Sequence, residues 1–205
     1  MRTRVLTLAA LLLAAAPITT GAQARYEADF PVVRERVARG EVREAAYTLM
    51  LASAHVREEV GRCRDGTVGE KLLAAESRLD GLVATLRTGQ AAPLATLDAT
   101  FATADRVLAE HHVVLAAWES ANLRASSIAD VAHDLDRAVL HFGRGVRWQG
   151  RTMDDMEQRA VADAKRLASQ LDGASSLPGE TNAVIAALSR VIVPPQAIAE
   201  RARPR

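Results

Sequence analysis

Residues 94–118, LATLDATFATADRVLAEHHVVLAAW, place mostly apolar side chains at intervals of three and four residues. The positions that follow this spacing are Leu94, Leu97, Phe101, Ala104, Leu108, His111, Leu115 and Trp118. Such a spacing puts them on one face of an α-helix. Its mean of about 3.5 residues is typical of helices that pack at shallow angles in bundles and coiled coils. The stretch therefore predicts a long helix with one buried face.

Five further segments, which begin near residues 41, 67, 127, 152 and 181, carry the same spacing. No run of residues alternates with the period of two that a half-buried strand requires. Helices of about 20 to 30 residues joined by short loops favour antiparallel neighbours. The sequence therefore predicts an all-α fold, an up-and-down antiparallel bundle of about five to six helices. The bundle domain is expected over 41–192, after a lead-in segment at 25–40 and before a flexible Arg/Pro tail at 193–205.

Glycines mark several of the expected connections. Gly89 and Gly173 each follow a periodic segment, where a glycine typically stops a helix. Gly143, Gly145 and Gly150 lie close together after the segment that begins near residue 127. They predict a connection directly after that helix.

The sequence also predicts a break between the third and fourth segments. Ser127 and Asp130 have the spacing of a capping box, which begins a helix, and Asn122 is an acceptable residue for the end of the preceding one. Because no glycine or proline interrupts 94–142, one continuous helix is the alternative.

The first 24 residues have the pattern of an export signal. Arg2 and Arg4 precede an apolar run at 5–16, and residues 22–24 (AQA) form a small-x-small cleavage motif before Arg25. The apolar run is too short for a bilayer, which needs roughly 20 residues. We therefore expect cleavage before Arg25 and a soluble mature protein, without a membrane span, in the periplasm or the medium. Cys63 is the only cysteine, so no internal disulfide can form.

The charge balance excludes some partners. The chain has 26 basic and 25 acidic residues, a formal net charge of +1. Loss of the leader removes two arginines and no acid, which leaves 1 − 2 = −1. This balance does not support a nucleic acid or an anionic membrane surface as partner.

Known catalytic motifs are missing from the sequence. It contains no CxxCH, HExxH or GxSxG and no glycine-rich phosphate loop. An enzyme is therefore not favoured. The favoured interpretation is a non-enzymatic bundle that acts through protein–protein contacts, with an unknown partner or by self-association, as an adaptor, a stress factor or an envelope-associated factor.

Histidines and acids suggest a second function. If the chain turns near 123–125, position 111 lies level with about 136 and position 133 with about 114, at about 1.5 Å per residue. His111 occupies a position in the apolar face, and a buried imidazole needs a polar partner. His111, His133 and Asp134, with His112 in reserve, could bind Zn²⁺ or Cu²⁺ between the third and fourth helices.

A simpler interpretation needs no metal. Adjacent residues of a helix point about 100° apart, so His111 can be a core residue held by one carboxylate of the next helix while His112 and His133 face solvent. His141 is also expected to be exposed, and His55 to be half-buried.

Overall fold

The computed structural model describes residues 29–123 and 127–193. Within these ranges 81% of the residues are helical and no strand occurs. The seven helices are α1 Asp29–Ala38, α2 Val42–Arg62, α3 Gly66–Arg87, α4 Leu94–Ala121, α5 Ile128–Trp148, α6 Asp155–Leu171 and α7 Thr181–Ile192. Each helix packs against the next in the chain, and α4 also packs against α1 and α7. The predicted all-α helical bundle is confirmed. The export leader at 1–24 and the tail beyond residue 193 lie outside the described residues.

The predicted helix ends agree with the structure at several places. α3 and α6 are followed by Gly89 and Gly173, whose φ angles of 81° and 73° suit glycine. The predicted capping box is present: Ser127 Oγ accepts from the Asp130 amide at 3.1 Å, and Asp130 Oδ2 accepts from the Ser127 amide at 2.7 Å. α4 ends before Asn122, so 94–142 is not one continuous helix.

The expected number of helices was too low, because the lead-in segment at 25–40 contains α1. This helix buries Phe30, Val33 and Val37, which are 5%, 0% and 6% exposed. The ring of Phe30 stacks on that of Phe101 in α4, with centroids 4.6 Å apart. A ten-residue helix with three buried positions gives too short a pattern for the periodicity to stand out.

The connection predicted at Gly143 and Gly145 is also wrong, because α5 continues through both glycines to Trp148. Gly145 is buried against α4, and a Cβ atom there would lie 3.6 Å from the backbone of Ala102 and Arg106. Close packing of α5 against α4 therefore keeps this segment of α5 helical, although glycine has a low helix propensity.

α4 is the central helix, and more than half of its 28 residues are buried. Its N-terminal part, with Leu97 and Leu108, contributes to a core shared with α1, α2 and α3. Its C-terminal part, with Val113 and Ala116, contributes to a core shared with α5, α6 and α7. Among the described helices, none is both long and apolar enough to cross a membrane.

Leu108→Ala should lower the free energy of unfolding by about 2–5 kcal/mol, because it removes buried apolar contacts and leaves a cavity. Leu108 is 1% exposed, whereas Leu73 on α3 is 51% exposed. The matched control Leu73→Ala should therefore cost less than about 0.5 kcal/mol. Urea unfolding of both variants measures the difference. Equal losses would mean that the face of α4 through Leu108 is not the buried one.

Candidate metal centre

Five ionisable side chains of α4 point into the bundle: Asp105, Glu110, His111, His112 and Glu119. Each is at most 8% exposed. A buried polar or charged group is costly unless a partner replaces its lost water. Each of these groups therefore needs a polar partner. Side chains of the neighbouring helices supply such partners.

His111 is fully buried and faces α2. Its Nε2 lies 2.9 Å from Oε2 of Glu59. Arg62, one turn further along α2, donates from Nη1 to both carboxylate oxygens of Glu59 at 3.0 and 3.1 Å. His55 lies one turn before Glu59, and its Nε2 is 3.9 Å from Oε1 of that carboxylate. Glu59 therefore stands between two imidazoles and a guanidinium.

His112 is 1% exposed and faces α5 instead. Its Nδ1 lies 2.7 Å from Oδ1 of Asp134. Nη2 of Arg62 is 4.0 Å from Oδ2 of the same carboxylate, so Arg62 lies beside both Glu59 and Asp134. The expectation that His112 faces solvent is wrong, because α5 covers this side of α4.

His141 on α5 is 2% exposed, which corrects the expectation that it faces solvent. Its Nδ1 lies 2.7 Å from Oδ1 of Asp105 on α4. The indole of Trp148 donates to Oδ2 of the same carboxylate at 2.8 Å. The ring of His141 stacks on that of His112, with centroids 5.6 Å apart and planes 4° from parallel.

His111, His112 and His141 share one arrangement. Each has one ring nitrogen on a buried carboxylate. The other ring nitrogen, Nδ1 of His111 and Nε2 of His112 and His141, has no hydrogen-bond partner within the described ranges. Histidines that bind metals typically hold a carboxylate with the ring nitrogen that does not face the ion. His112 and His141 therefore present imidazoles whose orientation is fixed and whose Nε2 is a free ligand atom. At His111 the carboxylate is Glu59, which is itself a candidate ligand.

Three of these groups converge closely enough for one ion. Glu59, His111 and His112 each offer a ligand atom, these atoms lie within 4.8 Å of one another, and all three residues are buried. Two imidazoles and a carboxylate form a ligand set that suits Zn²⁺ or Cu²⁺.

The set expected from the sequence was His111, His133 and Asp134, with His112 in reserve. The structure brings His111 and His112 together and places Asp134 behind His112. His133 is exposed, and its Nε2 accepts from Nε of Arg137 at 3.3 Å, so it does not join the others. The carboxylate that holds His111 is Glu59 of α2, which sequence reasoning missed.

The axial register was predicted well. Antiparallel packing with position 111 level with about 136 agrees, within about one residue, with the observed pairs His112–Asp134 and Asp105–His141. Glu59, by contrast, is 52 positions away from His111 along the chain, and no local spacing indicates such a contact.

The protonation states at neutral pH suit a metal. Burial lowers the pKa of His112 to about 4, against the opposing effect of Asp134, so the imidazole is neutral at pH 7. Burial by itself raises the pKa of Glu59, but the hydrogen bond with His111 and the nearby charges outweigh it and lower the pKa to about 2. A neutral imidazole and an ionised carboxylate are the forms that bind metals.

The pKa of Glu119 is shifted upward, opposite to that of Glu59. Burial, the charge of Asp134 and a side-chain hydrogen bond with Asp134 together raise the pKa of Glu119 to about 8. Glu119 is therefore largely protonated at pH 7.

Comparisons with protein-family models, curated proteins and solved structures find no match to this chain.

Glu119→Gln should stabilise the protein increasingly as the pH rises from 5 to 8. A carboxyl group with a raised pKa contributes stability that is complete below its ordinary value, near 4.5, and lost as pH rises through about 8. Glutamine cannot ionise, so the variant should gain on the order of 2 kcal/mol over wild type at the alkaline end. Urea unfolding at several pH values measures this difference. The exposed control Glu58→Gln should show a flat difference, and a flat difference for Glu119→Gln as well would refute the buried, protonated carboxyl.

Proposed function

We propose that the protein is an exported metal-binding bundle that holds a divalent transition-metal ion, Zn²⁺ or Cu²⁺, between α2 and α4. The supporting observation is the buried convergence of Glu59, His111 and His112. Imidazole and carboxylate together suit these ions, whereas Mg²⁺ and Ca²⁺ prefer oxygen ligands alone.

The residues behind the ligands support the same assignment. Asp134 accepts from Nδ1 of His112 and so leaves Nε2 as the ligand atom. Asp134 is 1% exposed, and this carboxylate favours a cation near His112.

Arg62 supplies a positive charge to the site when no ion is bound. Its guanidinium holds both oxygens of Glu59, while its side chain is 45% exposed. A metal ion needs the same carboxylate, so the two cations compete for Glu59. Because Arg62 lies partly in solvent, it can release Glu59 without becoming a buried, unpaired charge.

A function through protein–protein contacts, which the sequence favours, has less support than metal binding. A docking surface would be expected as a contiguous apolar patch. The large apolar side chains that are exposed in the described ranges lie on separate elements: Tyr47 on α2, Leu73 on α3, Leu123 after α4, Leu140 on α5 and Met156 on α6. Exposed apolar residues are common on protein surfaces and do not by themselves indicate a partner.

Zn²⁺ and Cu²⁺ should each bind the purified mature protein with at least one ion per chain, as measured by calorimetry. An ion that binds only the folded state stabilises it by about 2.7 kcal/mol at one hundred times Kd, which should raise Tm. His112→Phe, which keeps the ring volume, should lower the affinity at least tenfold. His133→Ala removes an exposed imidazole outside the cluster and should leave the affinity unchanged. No stoichiometric binding, or equal losses in the two variants, would overturn the proposal.

Export is the other part of the proposal, and it rests on the sequence of residues 1–24. Mass spectrometry of the protein secreted or released from the periplasm should show a chain that begins at Arg25. A chain that keeps Met1 and stays inside the cell would contradict export.

A further inference from the structure

A cleft that contains none of the candidate metal ligands lies between α5, α6 and the segment that connects them. Its volume is about 560 Å³, and small-molecule sites in proteins typically measure about 300–1,000 Å³. Most of its wall is apolar, and the apolar side chains that line it are Val139, Leu140, Val146, Met153 and Val161. The size and the apolar wall are those of a site for a small organic molecule.

The wall of the cleft leaves apolar surface in contact with water. Leu140 of α5 is 37% exposed, and Met153 of the connecting segment is also only partly buried. A ligand with an apolar body would remove this surface from water, which is favourable in proportion to the area covered.

Gly143 keeps the middle of the cleft open. It lies inside α5, where a glycine costs about 1 kcal/mol relative to alanine. Gly145 is packed closely against α4, but a Cβ atom at Gly143 would meet only the flexible end of Met153, with Cε at 3.4 Å. Packing between helices therefore does not require a glycine at position 143. A larger side chain there would instead occupy the cleft, which Gly143 lines.

The charged side chains of the cleft are distributed unevenly along it. Arg147 in the last turn of α5 and Arg151 in the connecting segment line one end. Asp136 also lines the cleft, about 16 Å before Arg147 along the axis of α5. Lys165 of α6 lines the cleft as well and interacts electrostatically with Asp136, so these two opposite charges offset each other. The end with the two arginines therefore carries the excess positive charge.

Of these two arginines, Arg147 is the one available to a ligand. Arg151 donates from Nη1 and Nη2 to the two carboxylate oxygens of Glu157, at 2.7 and 2.9 Å. The side chain of Arg147 makes no hydrogen bond or ion pair with any residue in 29–123 or 127–193. A guanidinium presents several donors in a fork that matches a carboxylate. An unpaired guanidinium at one end of an apolar cleft is complementary to a molecule with an apolar body and an anionic head.

We infer that the cleft between α5 and α6 binds a small anionic amphiphile, a straight apolar chain that ends in a carboxylate. The chain lies along Val139, Leu140 and Val161, and the carboxylate lies on Arg147. This binding function is separate from the metal centre and does not depend on it.

Calorimetry of the mature protein with decanoate, below the concentration at which decanoate forms micelles, tests the inference. One decanoate should bind per chain. Decylammonium has the same chain length and a positive head, so it should bind at least about tenfold more weakly. No binding of decanoate, or equal affinity for the two amphiphiles, would overturn the inference.

Gly143→Leu should abolish the binding of decanoate, because the new side chain fills the cleft. Gly81→Leu is the matched control, since Gly81 lies inside α3 with open space around the position of a Cβ atom. The control should bind decanoate like the wild type, and circular dichroism should show the same helix content in both variants. Unchanged binding in Gly143→Leu would overturn the inference. So would a wild-type dimer that this variant dissociates, as measured by light scattering, because a second copy would then occupy the cleft.

Arg147→Gln gives a test that leaves the wall of the cleft intact, because Arg147 is exposed. The variant should bind decanoate about fivefold more weakly, the loss of an exposed ion pair worth about 1 kcal/mol. Arg78→Gln, which removes an exposed arginine of α3, makes the same change of charge far from α5 in the chain and should leave the affinity unchanged. Equal affinities of the two variants would contradict the placement of the carboxylate on Arg147.

Discussion

Other helices pack against α4 on several sides. The ionisable side chains of α4 must therefore find their polar partners on those helices. Water cannot reach them, so a group on another helix must replace it. Lys71 of α3 binds Glu110 at 2.7 and 2.9 Å, Glu59 of α2 binds His111, and Asp134 of α5 binds His112. Because the partners belong to α3, α2 and α5, a shift of any of these three helices by one turn along α4 would leave a buried polar group of α4 without its partner. Such a loss is strongly destabilising. The polar pairs therefore fix the register that apolar contacts alone leave loosely defined.

Much of the fold could be predicted from the sequence, because it depends on local patterns. The spacing of apolar residues predicted six of the seven helices, and Gly89, Gly173 and the Ser127 capping box predicted their ends. The rise per residue predicted the register of α4 against α5. The prediction failed where packing overrides local preference, as in the continuation of α5 through Gly145.

The site was less predictable for a related physical reason. Sequence reasoning assigned one buried face to α4, and on that assumption His112, rotated by about 100° from His111, points into solvent. In the structure α5 covers this second face, so both adjacent histidines are buried in different directions. The same rotation separates His133 from Asp134: the carboxylate faces α4, and the imidazole faces solvent. The importance of Glu59 could not be read from the sequence, since α2 and α4 meet only in the folded chain.

His112 suits a metal because Asp134 orients its imidazole and burial keeps that imidazole neutral. X-ray absorption spectroscopy of the zinc-loaded mature protein tests this account most directly. We expect nitrogen and oxygen ligands near 2.0–2.1 Å from the zinc ion, with outer-shell scattering from at least two imidazoles. A sulfur shell near 2.3 Å, or oxygen ligands without imidazole scattering, would contradict it.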